Sequence, residues 1–244
     1  LFDHQMRLAE CLGLQDTDGN LAVEQLMQDF FRSAAILLRI NDRLLQRFEE
    51  HLAGEQVIVA IDERFVMKNG YLLALDNRFS VHGLQAVFDL FAVWGRLHEC
   101  RGLHSDTARG LAESLAVIKP YREQPKPVCE AFMSLISEPN GVQSLQRLAR
   151  LGILARYLPE FGLVTGRMQY DLFHVYTVDQ HTMNVLEFIH RFQTGRQDGF
   201  TLPHEVFPRL RKPHLIWLAG LFHDIGKGRG NRISKPTCHI YVTV

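Results

Sequence analysis

Leu215-Ile216-Trp217-Leu218-Ala219-Gly220-Leu221-Phe222-His223-Asp224-Ile225-Gly226-Lys227-Gly228 is the stretch on which the reading of this chain turns. A run that is apolar nearly all round predicts a buried helix over residues 214–225. It ends on adjacent His and Asp and is then broken by Gly-Lys-Gly. An ionised Asp at the end of such a helix is costly to bury unless something compensates its charge. A divalent cation is the simplest compensation, and imidazole with carboxylate is a suitable ligand set. A His-Asp dipeptide alone is weak evidence in a chain with twelve His; the context carries the weight. Upstream, Val178-Asp179-Gln180-His181-Thr182-Met183 opens a second apolar-periodic segment and supplies another His.

Working outward, helical periodicity dominates. Residues 21–53 read as one long amphipathic helix or two short ones, with Arg32, Arg39, Arg43 and Arg47 near one face. That face is expected to be solvated; the alternative is a contact surface for an acidic partner or a nucleotide. Helices are expected over 84–101, 107–118, 128–137, 142–157 and 178–192, punctuated by Pro120, Pro125, Pro127 and Pro139-Asn140-Gly141. Residues 194–211 read as a polar loop. Asn69-Gly70 between two apolar runs signals a hairpin, so a small antiparallel element is expected over residues 57–75. The fold class expected is mainly α, with that β element set into a helical domain.

Composition bounds the function. The 244 residues suit one or two domains, and 46% hydrophobic with 22% charged residues is ordinary for a globular chain. Zero formal net charge gives no reason to expect a nucleic-acid or membrane partner. Cys11, Cys100, Cys129 and Cys238 are far apart, without a Cys-x-x-Cys pair. That spacing argues against structural zinc and a disulfide framework, and a cytoplasmic setting fits best. No apolar run reaches the length of a membrane span. The chain opens on Leu1, in a helical pattern, and reads as an internal piece of something longer. Asp16-Thr17-Asp18-Gly19-Asn20 fails as a calcium loop because its Gly is misplaced and position twelve is Met27. His104-Ser105-Asp106 reads as a helix cap around Ser105 or Asp106 rather than a triad. His174 reads as a packing residue.

The pairing of His181 with His223-Asp224 resembles the HD superfamily of metal-dependent phosphohydrolases. Residues 170–182 and 221–230 resemble, more closely, the HD domain of the bacterial PII uridylyltransferase/uridylyl-removing enzymes. Leu1-Phe2-Asp3-His4-Gln5, Asn20-Leu21-Ala22-Val23-Glu24-Gln25-Leu26-Met27, Ile61-Asp62-Glu63-Arg64-Phe65 and Gly102-Leu103-His104-Ser105-Asp106-Thr107 resemble the helical segment before that domain. The resemblance covers about residues 1–230. It implies a helical connector over 1–165 that follows an absent nucleotidyltransferase domain, a partial HD unit over 166–230, and a divergent tail over 231–244. It implies a divalent metal, Mg or Mn, held by His181, His223 and Asp224, with His223 and Asp224 in the catalytic site; Lys227 beside them reads either as a catalytic group that stabilises phosphate charge or as an ordinary cation at a helix C-terminus. For the full family it implies the PII signal protein as partner, with UTP, UMP and glutamine. One domain attaches UMP to a tyrosine of PII, and the HD domain removes it. The family's fourth ligand is a downstream Asp, and Asn231–Val244 contains none. Two other readings stand beside this one: a catalytically inactive interaction or scaffold fragment, and an HD phosphohydrolase of a free nucleotide.

Overall fold

The computed structural model describes residues 4–17, 19–54, 56–168, 176–194 and 201–229. Helix α1 (Gln5–Cys11) leads through a turn into α2 (Ala22–Leu52), a single 31-residue helix. Two carboxylates hold its start: Asp16 Oδ1 accepts from the amide of Ala22 at 2.7 Å, and Glu24 Oε2 from that of Leu21 at 3.3 Å. Asp16 therefore serves as a helix cap rather than an ion ligand.

The arginine face of α2 is only in part the solvated face expected: Arg47 is exposed, but Arg32 and Arg39 turn inward. Arg32 donates to the carbonyls of Gly162 and Thr165, and Arg39 to that of Arg150. Gln28, on the same side, donates to Leu163 and Thr165. These carbonyls lie at or just beyond helix C-termini, where backbone acceptors need external donors and positive charge is favoured.

The β element is a sheet of β1 (Ile58–Ala60), β2 (Phe65–Lys68), β3 (Tyr71–Ala74) and β4 (Gly102–Leu103), in that order. The first three strands are antiparallel, as the hairpin signal predicts, with Lys68 opposite Tyr71 across the two-residue Asn69-Gly70 turn. Both turn residues have left-handed φ, 50° and 82°, the combination for which Asn-Gly is favoured. β4 joins in parallel through Tyr71 and Leu72. Two residues of ladder carry too little pattern to be read from sequence.

The remaining elements are α3 (Phe79–Arg96), α4 (Ser105–Ser114), α5 (Lys126–Ser137), α6 (Gly141–Arg150), α7 (Ile153–Tyr157), α8 (Pro159–Val164), α9 (Val178–Thr194), α10 (Thr201–Val206) and α11 (His214–Phe222). Three expectations are corrected. The helix expected over 142–157 is broken into α6 and α7 at Gly152, whose φ is 79°. The segment 194–211 is not all loop, since it carries α10 and a 3-10 turn at Phe207–Arg209. The cap of α4 is His104, whose Nδ1 faces the amide of Asp106 at 3.3 Å; Ser105 instead donates through amide and hydroxyl to Glu50 of α2.

The core begins under the sheet, where Leu72 of β3 is buried with Phe88 and Phe91 of α3. Phe132 of α5 and Tyr157 of α7 meet at 4.8 Å between ring centroids, and Phe88 stands edge-on to Tyr157 at 5.4 Å. The same core runs on through Phe161 and Val164 of α8 to Leu186 of α9 and Leu221 of α11. The helices that carry His181 and His223 thus stand on a continuous apolar base. No helix among the described residues is long and apolar enough to cross a membrane.

Candidate metal centre

His181 lies in the first turn of α9. That turn is anchored from behind: Asp179 Oδ1 accepts from the Gly166 amide at 2.9 Å, and the Val178 amide donates to the Arg167 carbonyl at 2.8 Å. The buried Thr182 hydroxyl is satisfied by the Val178 carbonyl. His223 follows the last residue of α11, Asp224 comes next, and a 3-10 turn at Ile225–Arg229 carries Lys227.

Gly220 brings the two helices together. A Cβ at this position would lie 2.7 Å from Ile189 Cδ1 and 3.1 Å from Leu186 Cδ2. Only a glycine leaves α11 room to lie this close to α9. Around it Leu186, Ile189, Trp217 and Leu221 are buried. Gly228 plays a similar part on the other side, where its missing Cβ would meet Leu163 Cβ at 2.9 Å; this seats the 3-10 turn against α8.

The structure brings His181, His223 and Asp224 together. One ligand atom from each lies within 4.8 Å of the other two. Asp224 Oδ2 is 3.8 Å from His181 Nε2 and 3.4 Å from His223 Nε2. The two imidazoles meet edge to face with centroids 5.3 Å apart. Donors bound to one ion at about 2.0–2.2 Å stand roughly 3–4.2 Å apart, so adjustments of well under 1 Å suffice to close the set.

His223 Nδ1 is 2.8 Å from the Gly220 carbonyl. A carbonyl can only accept, so Nδ1 is the donor in this bond, and Nε2 is left as the nitrogen turned toward Asp224 and open to a metal. A fixed tautomer of this kind is what metal-ligating histidines require. Asp224 is the most buried of the three, its side chain 17% exposed against 47% for His181 and 33% for His223. Lys227 Nζ lies 2.8 Å from Asp224 Oδ2 and neutralises it in part. The donor types, their spacing and the preset tautomer all fit a divalent cation. Asn231–Val244 and His174 lie outside the described residues.

Gly220, Asp179 and Gly166 are contributions that the sequence reading did not single out. Gly220 left a signal, an isolated glycine inside an apolar helix, which often marks close packing. The pairing of Gly166 with Asp179 left none, because nothing in a sequence tells which amide a capping carboxylate will reach.

Comparison with known proteins supports the kinship that the motifs suggest. Residues 65–157 match the family described as uridylyltransferase GlnD third domain, and residues 1–45 match GlnD PII-uridylyltransferase. A bifunctional uridylyltransferase/uridylyl-removing enzyme of Xanthomonas campestris pv. campestris (strain B100) is 53% identical over 96% of this chain. This chain is a relative of the bifunctional uridylyltransferase/uridylyl-removing enzymes. Its counterpart in Xanthomonas oryzae pv. oryzae (strain MAFF 311018) is 51% identical and that in Pseudomonas savastanoi pv. phaseolicola 38% identical, each over 96% of the chain. The chain spans 27% of the length of each of these relatives.

Proposed function

We propose that this chain supplies the first part of a metal-dependent phosphodiesterase unit that removes uridylyl groups from the PII signal protein. In this reading residues 1–165 are the helical connector and residues 166–230 begin the hydrolytic unit. The observation that carries it is the convergence of His181, His223 and Asp224 from two separate helices, with the His223 tautomer already set.

His181, His223 and Asp224 would hold the divalent ion, Mg or Mn. Such an ion supplies a polarised water and neutralises charge on a phosphoryl group. The chain's own groups set the rest. The Gly220 carbonyl engages His223 Nδ1 and so orients the ring with Nε2 as the metal-facing nitrogen. Asp224 supplies the negative charge at the foot of the site. Lys227 has a flexible stem, and its ammonium can exchange Asp224 for a phosphate oxygen as charge accumulates there. In the overall reaction a water oxygen bonds to phosphorus and the bond from phosphorus to the tyrosyl oxygen breaks. The water's proton passes to the departing oxygen, leaving free tyrosine and UMP. The half-exposed imidazoles leave the site accessible to a tyrosine carried on another protein. The uridylyltransferase activity in the relatives' names is proposed to reside outside this chain, which has neither a Gly-rich turn nor paired carboxylates of that kind.

The test is UMP release from uridylylated PII with added Mg²⁺ or Mn²⁺. The chain alone, without the family's downstream Asp, is expected to show little release and weak metal binding. The chain joined after Gly230 to the segment that follows in the Xanthomonas campestris relative is expected to recover both. In that extended chain His223→Ala or Asp224→Ala abolishes release. Full activity of the extended Asp224→Ala variant refutes the metal mechanism.

A further inference from the structure

Helix α2 is mounted with its polar side inward and its apolar side outward. Gln28, Arg32 and Arg39 face the body and are tied to backbone carbonyls, as Gln46 is to Leu103. On the opposite side Phe30, Leu37, Leu44, Leu45, Phe48 and Leu52 are 55% to 81% exposed. The spacing is regular: residues 30, 37 and 44 form one seven-residue series and 34, 41 and 48 another, displaced by four. Side chains so placed make a continuous seam along one side of a helix, the pattern by which helices pair. Asn41 interrupts the seam near its middle, where one polar residue fixes the register of a partner. An exposed apolar strip of this length marks an interaction surface.

Two matches on this chain bear on the occupant. The uridylyltransferase family covers residues 1–45 and so runs through α1 and about three-quarters of α2. The domain covering residues 65–157 is described as the third of its protein, which places other domains before it. We propose that the outward seam of α2 is the seat of the uridylyltransferase unit of the same polypeptide, so that α2 is shared between two units: its polar side belongs to the connector and its apolar side to the transferase. Leu8 of α1 and Leu12 just after it are exposed as well. This rests on the kinship with the bifunctional enzymes but not on the metal site, and its test does not read hydrolysis.

The test compares two forms by amide hydrogen exchange. One is this chain alone. The other is the full-length Xanthomonas campestris relative with its aligned segment replaced by this chain. The proposal expects exchange over residues 30–52 to slow about 100-fold or more in the full-length form. The pair Leu44→Lys and Phe48→Lys should abolish that gain while α3 and α5 stay protected. Should the chimera not fold, the intact relative gives the same reading at its aligned positions. Equal exchange over residues 30–52 in both forms overturns the proposal. So does a dimer of the chain alone that already protects these residues and that Leu44→Lys dissociates, since the seam would then belong to a second copy.

Discussion

Replacing Gly220 by valine tests whether the candidate metal centre depends on the close approach of α9 and α11. The added Cβ falls 2.7 Å from Ile189 Cδ1 and 3.1 Å from Leu186 Cδ2, against about 3.5–4.0 Å for relaxed carbon contacts. Both neighbours are side-chain ends, but both are buried, Leu186 completely, so rotation offers little relief. The helices must part by roughly 1 Å. Overpacking of this kind costs about 1–3 kcal/mol, and valine recovers only about 0.4 kcal/mol over glycine in helix propensity. The net loss of about 0.6–2.6 kcal/mol lowers Tm by about 1–10 °C in a chain of this size. The effect on the site is larger in proportion. Metal–ligand distances tolerate about 0.2 Å, so a shift of this size carries His223 and Asp224 out of range of His181. Mn²⁺ affinity is expected to fall about 10–100-fold, the range for loss of a supporting group. Gly220→Ala, lacking the two further methyls, is expected to fall between wild type and valine. Calorimetric unfolding and titration with Mn²⁺ on the extended chain read the two quantities separately. A Gly220→Val protein with unchanged Mn²⁺ affinity and a raised Tm would refute the argument, because helix propensity alone would then be at work.

Three further outcomes follow from the geometry. Arg32→Ala removes two charge-assisted bonds to the carbonyls of Gly162 and Thr165; urea denaturation is expected to show a loss of about 2 kcal/mol, and a loss below about 0.5 kcal/mol would mean that water replaces the guanidinium there. Burial raises the Glu50 carboxyl, but hydrogen bonds from the Ser105 hydroxyl and amide and from Gln46, with the nearby His104, outweigh it and hold the group below its ordinary value. Its folded-state pKa is therefore depressed, so its contribution is complete above the unfolded value, about 4.3, and is lost as pH falls through the folded one; Glu50→Gln should flatten the acid limb of a stability–pH curve, and an unchanged limb would count against the linkage. Gly110→Ala sets a Cβ 2.2 Å from the backbone carbonyl of Asn77, which a side-chain rotation cannot relieve; a loss of about 1–3 kcal/mol is expected in thermal unfolding, opposite in sign to the gain of about 1 kcal/mol that helix propensity alone would give.

Much of this protein is legible in its sequence where one local pattern suffices. The 3.6-residue period announces α9, the unbroken apolar run announces α11, and Asn69-Gly70 announces the hairpin, because each signal arises within a few consecutive residues. The pairing of His181 with His223-Asp224 was also legible, through the surrounding motif rather than through any rule of spacing. Tertiary structure alone decided which way the helices face. Residues 21–53 display an apolar and a basic side, and the ordinary expectation turns the basic side to water. Over its first half the fold reverses it, because the carbonyl-rich segment at residues 162–165 needs donors and Gln28 and Arg32 are the groups that reach it, while Arg47 further on stays exposed. The seat of His181 was hidden for the same reason. It depends on Asp179 meeting the Gly166 amide and on Gly220 admitting Leu186 and Ile189. Periodicity tells that a helix has two sides; only the groups lying against each side, brought there from far along the chain, determine which one is buried.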